Sequence, residues 1–206
     1  MRECYHCDGA ILAKPRANTA PGRVRIIGGS LRGSKLDVPD VAGLRPTPDR
    51  VRETLFNWLM PMIEGARCLD LFAGTGALGI EALSRGAAHV DFVESDVQLA
   101  RMLRDNLARL KQTASVHQSA ASRFVESAAA EYDIVFLDPP FGDDLWDRVM
   151  TALETHRRLS PSACIYVESP ENHTISPPEN WTRHREGHAG AVRFALYRRT
   201  GPSATI

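Results

Sequence analysis

The chain has 206 residues, of which 43% are hydrophobic, and its 25 basic and 25 acidic residues give a formal net charge of zero. This length suits one main domain with a substantial core and a small appendage. No apolar run approaches the ~18 residues that a membrane span needs, and the first ten residues lack the apolar stretch of a secretory signal. We therefore expect a cytoplasmic protein with no membrane partner.

Positive charge is concentrated near the N-terminus. Six basic residues and no acidic residue occur from Lys14 to Lys35, and Arg45, Arg50 and Arg52 follow. Such a cluster on a neutral protein indicates either a phosphate-binding surface or a solvated segment whose charge aids solubility. Residues 1–20 are expected to form a flexible leader.

The four cysteines predict a reduced protein without a metal. Cys68 and Cys164 lie in apolar stretches, which is typical of reduced core residues. Cys4 and Cys7 form a C-x-x-C beside His6, which is half of a zinc site. Because a second pair at ligand spacing is missing, we expect no bound metal.

Residues 21–62 are predicted to form an N-terminal extension. The runs "RVRIIGG" and "GSKLDVP" predict a small hairpin. The following "TPDRVRETLFNWL" predicts a helix capped by Thr47, with Pro48 at its first position and Val51, Leu55 and Leu59 on one face.

Residues 63–200 show a regular alternation of strands and helices. Strands are predicted at "RCLDLF", "HVDFVE", "ASVHQ", "YDIVFLD" and "ACIYVE", and helices at Ala77–Ser84, Val97–Leu110 and Asp144–Glu154. This alternation indicates an α/β fold with a parallel sheet and helices on both faces. The final "WTRHREGHAGAVRFALYRR" has two strand-like runs around Gly187 and Gly190, which predicts a closing hairpin with an antiparallel strand.

A glycine-rich loop follows the first strand of this sheet. In "DLFAGTGALG", residues 70–79, Gly74, Gly76 and Gly79 have G-x-G-x-x-G spacing, and Glu94 ends the next strand 20 residues after Gly74. Glycines permit a tight turn and close backbone approach to a ligand, and a carboxylate at the position of Glu94 can accept hydrogen bonds from ribose hydroxyls. The loop by itself suits NAD as well as S-adenosylmethionine.

Asp70 favours a cationic ligand. The pyrophosphate of NAD would meet like charge at a carboxylate directly ahead of the loop. S-adenosylmethionine carries an ammonium and a sulfonium, so a site with Asp70, Glu94 and few basic residues suits it better. The alternative is that Asp70 is hydrogen-bonded to backbone at a strand end.

The motif Asp138-Pro139-Pro140-Phe141 ends the strand "DIVFLD". The two prolines form a stiff turn without backbone donors. The Asp138 carboxylate and the Pro139 carbonyl can accept both N–H bonds of an exocyclic nucleobase amine, which directs the nitrogen lone pair at the sulfonium methyl, and Phe141 offers a face for stacking a flipped base. The alternative is a rigid strand exit.

These motifs resemble a known family. "LDLFAGTGALGIEALSRGA" together with "LDPPF" resembles the class I methyltransferases of exocyclic amines. "RIIGGSLRGSKL" and "LRPTPDRVRETLFNWL" narrow the resemblance to the bacterial 16S rRNA guanine-N2 methyltransferases that act on guanine 966, and the resemblance extends from about Arg23 to Arg198. It implies a Rossmann-like α/β fold: a seven-stranded, mostly parallel sheet with an antiparallel last strand, preceded by a small hairpin and helix extension. It also implies S-adenosylmethionine as cofactor and the 16S rRNA of the small ribosomal subunit as partner.

The resemblance and the charge pattern together assign three groups of site residues. The catalytic motif is Asp138, Pro139, Pro140 and Phe141. The cofactor residues are Asp70, Ala73, Gly74, Thr75, Gly76, Gly79, Glu94, Ser119 and Ala120. The substrate residues are Arg23, Arg25, Arg32, Lys35, Arg45, Thr47 and Arg50. Because many relatives have a polar residue where this chain has Ala120, recognition of adenine is expected to use backbone groups of residues 119–121.

The residues alone leave other functions open. The same chemistry serves amino groups of DNA or a glutamine amide of protein, for which Asn is the commoner first residue of the motif. A nicotinamide oxidoreductase and a nucleotide-binding module without chemistry are the alternatives of another class. A monomer is expected.

Overall fold

The computed structural model describes residues 22–38, 47–140 and 145–201. The predictions for the leader, for Cys4 and Cys7, for Arg45 and for Phe141 lie outside these residues.

The N-terminal extension forms a hairpin and a helix. Strand β1 (Gly22–Arg25) pairs antiparallel with β2 (Lys35–Val38), with Arg25 opposite Lys35. The turn between them has left-handed backbone at Gly29 and Gly33, which glycine adopts without a steric penalty. Helix α1 (Asp49–Leu59) follows and buries one face.

The remaining elements form a sheet flanked by helices. The helices are α2 (Ala77–Ser84), α3 (Val97–Arg109), α4 (Ala121–Ser127) and α5 (Trp146–Thr155). The strands are β3 (Arg67–Asp70), β4 (His89–Glu94), β5 (Ser115–Gln118), β6 (Tyr132–Leu137), β7 (Leu159–Pro170), β8 (Trp181–Ala189) and β9 (Val192–Arg199).

The strand order in the seven-stranded sheet is β5-β4-β3-β6-β7-β9-β8. Strands β3 to β7 pair in parallel, and β9 lies antiparallel to both β7 and β8. The predicted fold, a seven-stranded and mostly parallel sheet with an antiparallel last strand, is confirmed. None of the helices in the described ranges has the length and apolar character that a membrane crossing requires.

Some elements differ from the sequence prediction. Strand β7 begins at Leu159, ahead of the predicted "ACIYVE", and α5 begins at Trp146 instead of Asp144. Helix α4 was not predicted, because its seven residues are too short to show a helical period, and its burial is limited to Phe124 and Val125.

The sheet separates two apolar cores. One core contains β-strand residues such as Cys68 and Phe136 and packs against the hairpin, α1, α2 and α3, with the rings of Phe56 and Phe136 6.0 Å apart. The other contains the alternate strand residues, such as Leu69 and Val135, and packs against α4 and α5. This alternation follows from the two-residue period of a strand. Helices therefore cover both faces, as predicted.

Glu81 attaches the extension to the rest of the fold. It is fully buried on α2 and accepts hydrogen bonds from the backbone N–H groups of Ile27 and Gly28, each at 2.8 Å. Arg52 of α1 is also fully buried; its Nη2 donates to the Arg25 carbonyl at 2.8 Å, and its Nη1 lies 3.7 Å from Glu81 Oε2. The placement of Arg52 in a phosphate-binding cluster was wrong, because this guanidinium is inside the protein.

Candidate active site

Four acidic residues end four adjacent strands of the parallel sheet. In spatial order they are Glu94 at the end of β4, Asp70 at the end of β3, Asp138 directly after β6 and Glu168 near the end of β7. Each follows by two positions a residue of the core that packs against α1 and α2: Phe92, Cys68, Phe136 and Tyr166. Because side chains alternate along a strand, all four carboxyl groups belong to this same face of the sheet. We call them the acidic row.

The glycine loop is held by the first member of the acidic row. Glu94 is buried; its Oε2 accepts from Gly74 N–H at 2.8 Å and its Oε1 from Asp96 N–H at 2.8 Å. Gly74 and Gly76 have φ angles of 51° and 77°, in the left-handed region that favours glycine, and Gly76 is the N-cap of α2. Since a carboxylate has about four acceptor positions, Glu94 retains capacity for ligand hydroxyls.

Asp70 is buried and bonded to the start of α2. Its Oδ2 accepts from Gly79 N–H at 2.9 Å, which is the backbone contact that the sequence left as an alternative. Burial raises the pKa of Asp70 to about 7; the Gly79 hydrogen bond opposes the rise and the charge of Glu94 adds to it. A cation beside Asp70 would favour its ionised form.

The other predicted cofactor residues lie around this loop. Ala73 N–H donates to the Val93 carbonyl at 2.9 Å, Gly76 N–H donates to Ala73 at 2.7 Å, and Thr75 is buried. A Cβ on Gly79 would lie 2.2 Å from the Phe92 ring, so packing of α2 on β4 explains this glycine. Ser119 N–H donates to the Glu94 carbonyl at 3.1 Å, and Ala120 follows it at the N-cap of α4.

The chemistry of these loops fits a cationic ligand. No Lys or Arg occurs in residues 70–79, 94–96, 119–120 or 138–140, whereas acids occur in three of these four segments. A pyrophosphate has no basic partner in these loops, and an ammonium or sulfonium has several carboxylates.

Asp138 lies between two other members of the acidic row. It is half-buried, Pro139 is buried and Pro140 is exposed. Burial, followed by the charges of Glu168 and Asp70, raises the pKa of Asp138 well above its ordinary value. Such a carboxyl group binds a proton more tightly than an exposed one does.

Glu168 and Tyr166 were missed by the sequence prediction. Glu168 is buried, and its Oε2 accepts from the Tyr166 hydroxyl at 2.9 Å. The sequence signal that could have identified Glu168 is its place as the last residue of "ACIYVE", where an acid ends a buried strand beside Asp138.

Thr47 contacts this end of the sheet, although its predicted role as a helix cap was wrong. The N-cap of α1 is Pro48, with no side-chain hydrogen bond at the cap. The Thr47 side chain is buried and hydrogen-bonds Glu168 instead. Its carbonyl accepts from Arg52 Nε at 3.3 Å, so the buried arginine anchors this contact.

The basic substrate residues lie on the extension and are exposed. Arg23 pairs with Asp37 at 3.5 Å and Arg25 with Asp49 at 3.8 Å. Exposed pairs of this kind contribute little and exchange readily for phosphate contacts. Arg32, Lys35 and Arg50 have no acidic partner within the described ranges, and there the basic set makes no contact with the acidic row.

The described part of the chain contains no candidate metal site. No group of His, Cys, Asp and Glu there has an arrangement that could hold a metal ion. Cys68 and Cys164 are free and buried, as predicted.

The architecture and the loop motifs match a known family. The family model described as "Conserved hypothetical protein 95" matches residues 24–198. The chain belongs to this family.

Named relatives of the family are close in sequence and length. The "Ribosomal RNA small subunit methyltransferase D" of Escherichia coli strain K12 is 50% identical over 190 residues, which cover 91% of this chain and 96% of that protein. The protein of the same name from Haemophilus influenzae is 45% identical over 191 residues, covering 90% and 99%. The solved structure of the Escherichia coli protein yhhF is 49% identical, with a TM-score of 0.82 and coverage of 88% and 100%. The resemblance to small-subunit rRNA methyltransferases is confirmed.

Proposed function

We propose that this chain transfers a methyl group from S-adenosylmethionine to the exocyclic N2 amine of a guanine in 16S rRNA. Its family makes it an S-adenosylmethionine-dependent methyltransferase of small-subunit rRNA. The choice of an exocyclic amine as acceptor is carried by one observation: Asp138, in the acidic row, and Pro139 stand at the end of β6. The guanine N2 atom is what the resemblance of the sequence motifs implies.

The residues around the glycine loop would hold the cofactor. Glu94 accepts hydrogen bonds from ribose hydroxyls, Asp70 provides negative charge for a cationic group, and backbone groups of residues 119–121 bind adenine. When bound, S-adenosylmethionine supplies an electrophilic methyl group on a sulfonium. The absence of basic residues from these loops supports this assignment.

Asp138 and Pro139 orient the acceptor amine. The lone pair of an exocyclic amine is conjugated with the ring, so the amine is a poor nucleophile. When the Asp138 carboxylate and the Pro139 carbonyl accept its two N–H bonds, the nitrogen becomes more tetrahedral and Asp138 can take one proton. The stacking role of Phe141 is part of the proposal and lies outside the described residues.

The basic side chains of the extension would bind the phosphates of the RNA. Arg23, Arg25, Arg32, Lys35 and Arg50 are exposed, and Thr47 joins their segment to the acidic row. A ribosomal substrate places the enzyme in the cytoplasm, where ribosomes are assembled.

Substitution of Asp138 tests this function. We expect Asp138→Ala to slow single-turnover methyl transfer to small-subunit RNA by on the order of 100-fold or more, and Asp138→Asn somewhat less, since Asn keeps one acceptor oxygen but loses the charge. Both variants should bind S-adenosylmethionine within a few-fold of the parent. Transfer at a near-parent rate by Asp138→Ala would make the motif only a rigid strand exit.

The acceptor atom is tested with the parent enzyme. Labelled methyl donor is incubated with small ribosomal particles, naked rRNA and DNA, and the products are digested to identify the methylated base. We expect N2-methylguanine from the ribosomal substrates. Label on another base or in DNA would overturn the guanine-N2 assignment.

A further inference from the structure

Glu168 on β7 lies beside Asp138, which directly follows the neighbouring strand β6. The pairing of β6 and β7 ends with Leu137 opposite Val167, so Asp138 and Glu168 are the next pair in register. Neighbouring strands lie about 4.8 Å apart, and residues in register point to the same face of the sheet. Within the described ranges, no basic side chain forms an ion pair with either acid.

Two neutral hydroxyl groups hold Glu168 in place. The Tyr166 hydroxyl donates to its Oε2 at 2.9 Å, and the side chain of Thr47, two residues before α1, also hydrogen-bonds it. Hydrogen bonds of this kind favour the charged carboxylate, because the hydroxyls donate to it. Trp146 Nε1 donates to the Glu168 carbonyl at 2.7 Å, which fixes the backbone from the other core.

We propose that Glu168 is a positioning residue of the methyl transfer: held by Tyr166 and Thr47, it sets a buried negative charge beside Asp138 and makes Asp138 the stronger proton acceptor. This inference rests on the proposed role of Asp138. Glu168 does not touch the substrate amine and acts through its neighbour.

The electrostatics of the acidic row support this role. The charged groups that act on Asp138 are Glu168 from β7 and Asp70 from β3, and Asp138 in turn raises the pKa of Tyr166; the neutral Thr47, two residues before α1, bonds Glu168. Glu168 acts more strongly on Asp138 than Asp70 does and raises the pKa of Asp138. Two neighbouring carboxyl groups in a buried site do not ionise independently. Burial raises the pKa of Glu168 too, but its two hydroxyl donors oppose that rise, so Glu168 ionises first.

The negative charge of Glu168 would assist the proton transfer that accompanies methylation. The amine nitrogen forms a bond to the methyl carbon while the carbon–sulfur bond breaks with its electron pair on sulfur. One N2 proton passes to an Asp138 oxygen and then to water. A carboxylate whose proton affinity is raised by a fixed neighbouring charge takes that proton more readily than an ordinary aspartate does.

Glu168→Gln tests the inference because it keeps the shape and removes the charge. In the cofactor-free protein, carbon-13 carboxyl NMR follows the titration of Asp138, which is assigned with Asp138→Asn. We expect Glu168→Gln to lower the Asp138 midpoint by about one pH unit, the effect of removing one nearby like charge. The acid limb of the single-turnover rate profile should move in the same direction.

Two further variants complete the test. Tyr166→Phe removes only the hydroxyl that stabilises charged Glu168, and it should produce a smaller shift in the same direction; it replaces Glu168→Gln if that variant does not fold. Glu154→Gln is the control. It neutralises a carboxylate on α5 that lies outside the acidic row and accepts from Trp181 and Arg199, and it should leave the Asp138 midpoint and the acid limb of the rate profile unchanged.

Two failures can be told apart. If the Asp138 midpoint and the acid limb in Glu168→Gln coincide with those of the parent, Glu168 is only structural and the inference is overturned. If Asp138→Ala transfers methyl groups normally, the proposed function fails, while the NMR midpoint still shows whether Glu168 acts on Asp138.

Discussion

The buried carboxyl group of Asp70 makes the free energy of unfolding depend on pH. Burial raises its pKa from an ordinary value of 3.8 to about 7. Between these values the folded protein binds more protons than the unfolded chain, so the free energy of unfolding falls as pH rises from about 4 to about 7. A shift of this size corresponds to about 4 kcal/mol in total.

Asp70→Asn should remove this dependence, since Asn keeps an oxygen for Gly79 N–H and cannot ionise. In urea titrations of the cofactor-free protein, we expect the parent to lose about 2 to 3 kcal/mol relative to the variant between pH 5 and pH 7.5. Carboxyl groups outside the acidic row are common to both proteins and cancel in the difference. A stability difference that does not change with pH would contradict the raised pKa.

The hairpin is the element expected to bind RNA. Its Arg32 and Lys35 are exposed and have no acidic partner among the residues that the structure describes. Replacing both with Ser should weaken RNA binding and reduce the steepness of the salt dependence by about 1.4 to 1.8, since each phosphate contact releases roughly 0.7 to 0.9 of a counterion. Filter binding over a range of salt concentrations measures this slope, and cofactor affinity should not change.

A matched pair of basic residues controls for net charge. Arg157 and Arg185 are exposed on elements other than the hairpin, Arg157 in the loop between α5 and β7 and Arg185 on the edge strand β8, and the left-handed backbone of Arg157 is one that Asn tolerates well. Arg157→Asn with Arg185→Ser should leave the salt slope close to that of the parent. If both double variants have the parent slope, the hairpin is a solvated segment.

At the scale of the whole molecule, Glu81 joins the extension to the methyltransferase sheet. It accepts from two hairpin N–H groups and from Arg85 Nε at 2.8 Å, and lies beside buried Arg52. Glu81 therefore supplies the buried acid that links the extension to α2, the helix that follows the glycine loop.

Glu81→Gln should destabilise the protein by about 3 kcal/mol, because one amide oxygen replaces the two carboxylate oxygens that accept from Ile27 and Gly28, and Arg85 Nε loses its charged partner. Urea unfolding at constant pH measures the loss. Glu186→Gln breaks the exposed pair with Arg183 and should cost less than about 1 kcal/mol. Equal losses in the two variants would show that the buried network does not attach the extension.

Local sequence patterns predicted the chain order of the strands and of four of the five helices in the described ranges, and three of the four acids of the acidic row. The strands β3, β4 and β6 are short apolar runs, and Gly74 and Gly76 mark a turn that needs left-handed backbone. These signals are local, because a repeat of two or of about 3.6 residues is visible between neighbours in the chain. Asp70, Glu94 and Asp138 were found for the same reason, since each ends a predicted strand next to a motif.

Only the tertiary structure decided which polar groups are buried and what they contact. Arg52 was counted with the exposed bases, yet it is buried against Glu81, whose hairpin partners Ile27 and Gly28 are 54 and 53 positions away in sequence. Thr47 was predicted to cap its own helix, and it bonds Glu168 more than a hundred positions later. The free energy of a buried charge depends on the groups that surround it in space, and chain folding brings those groups together from distant segments.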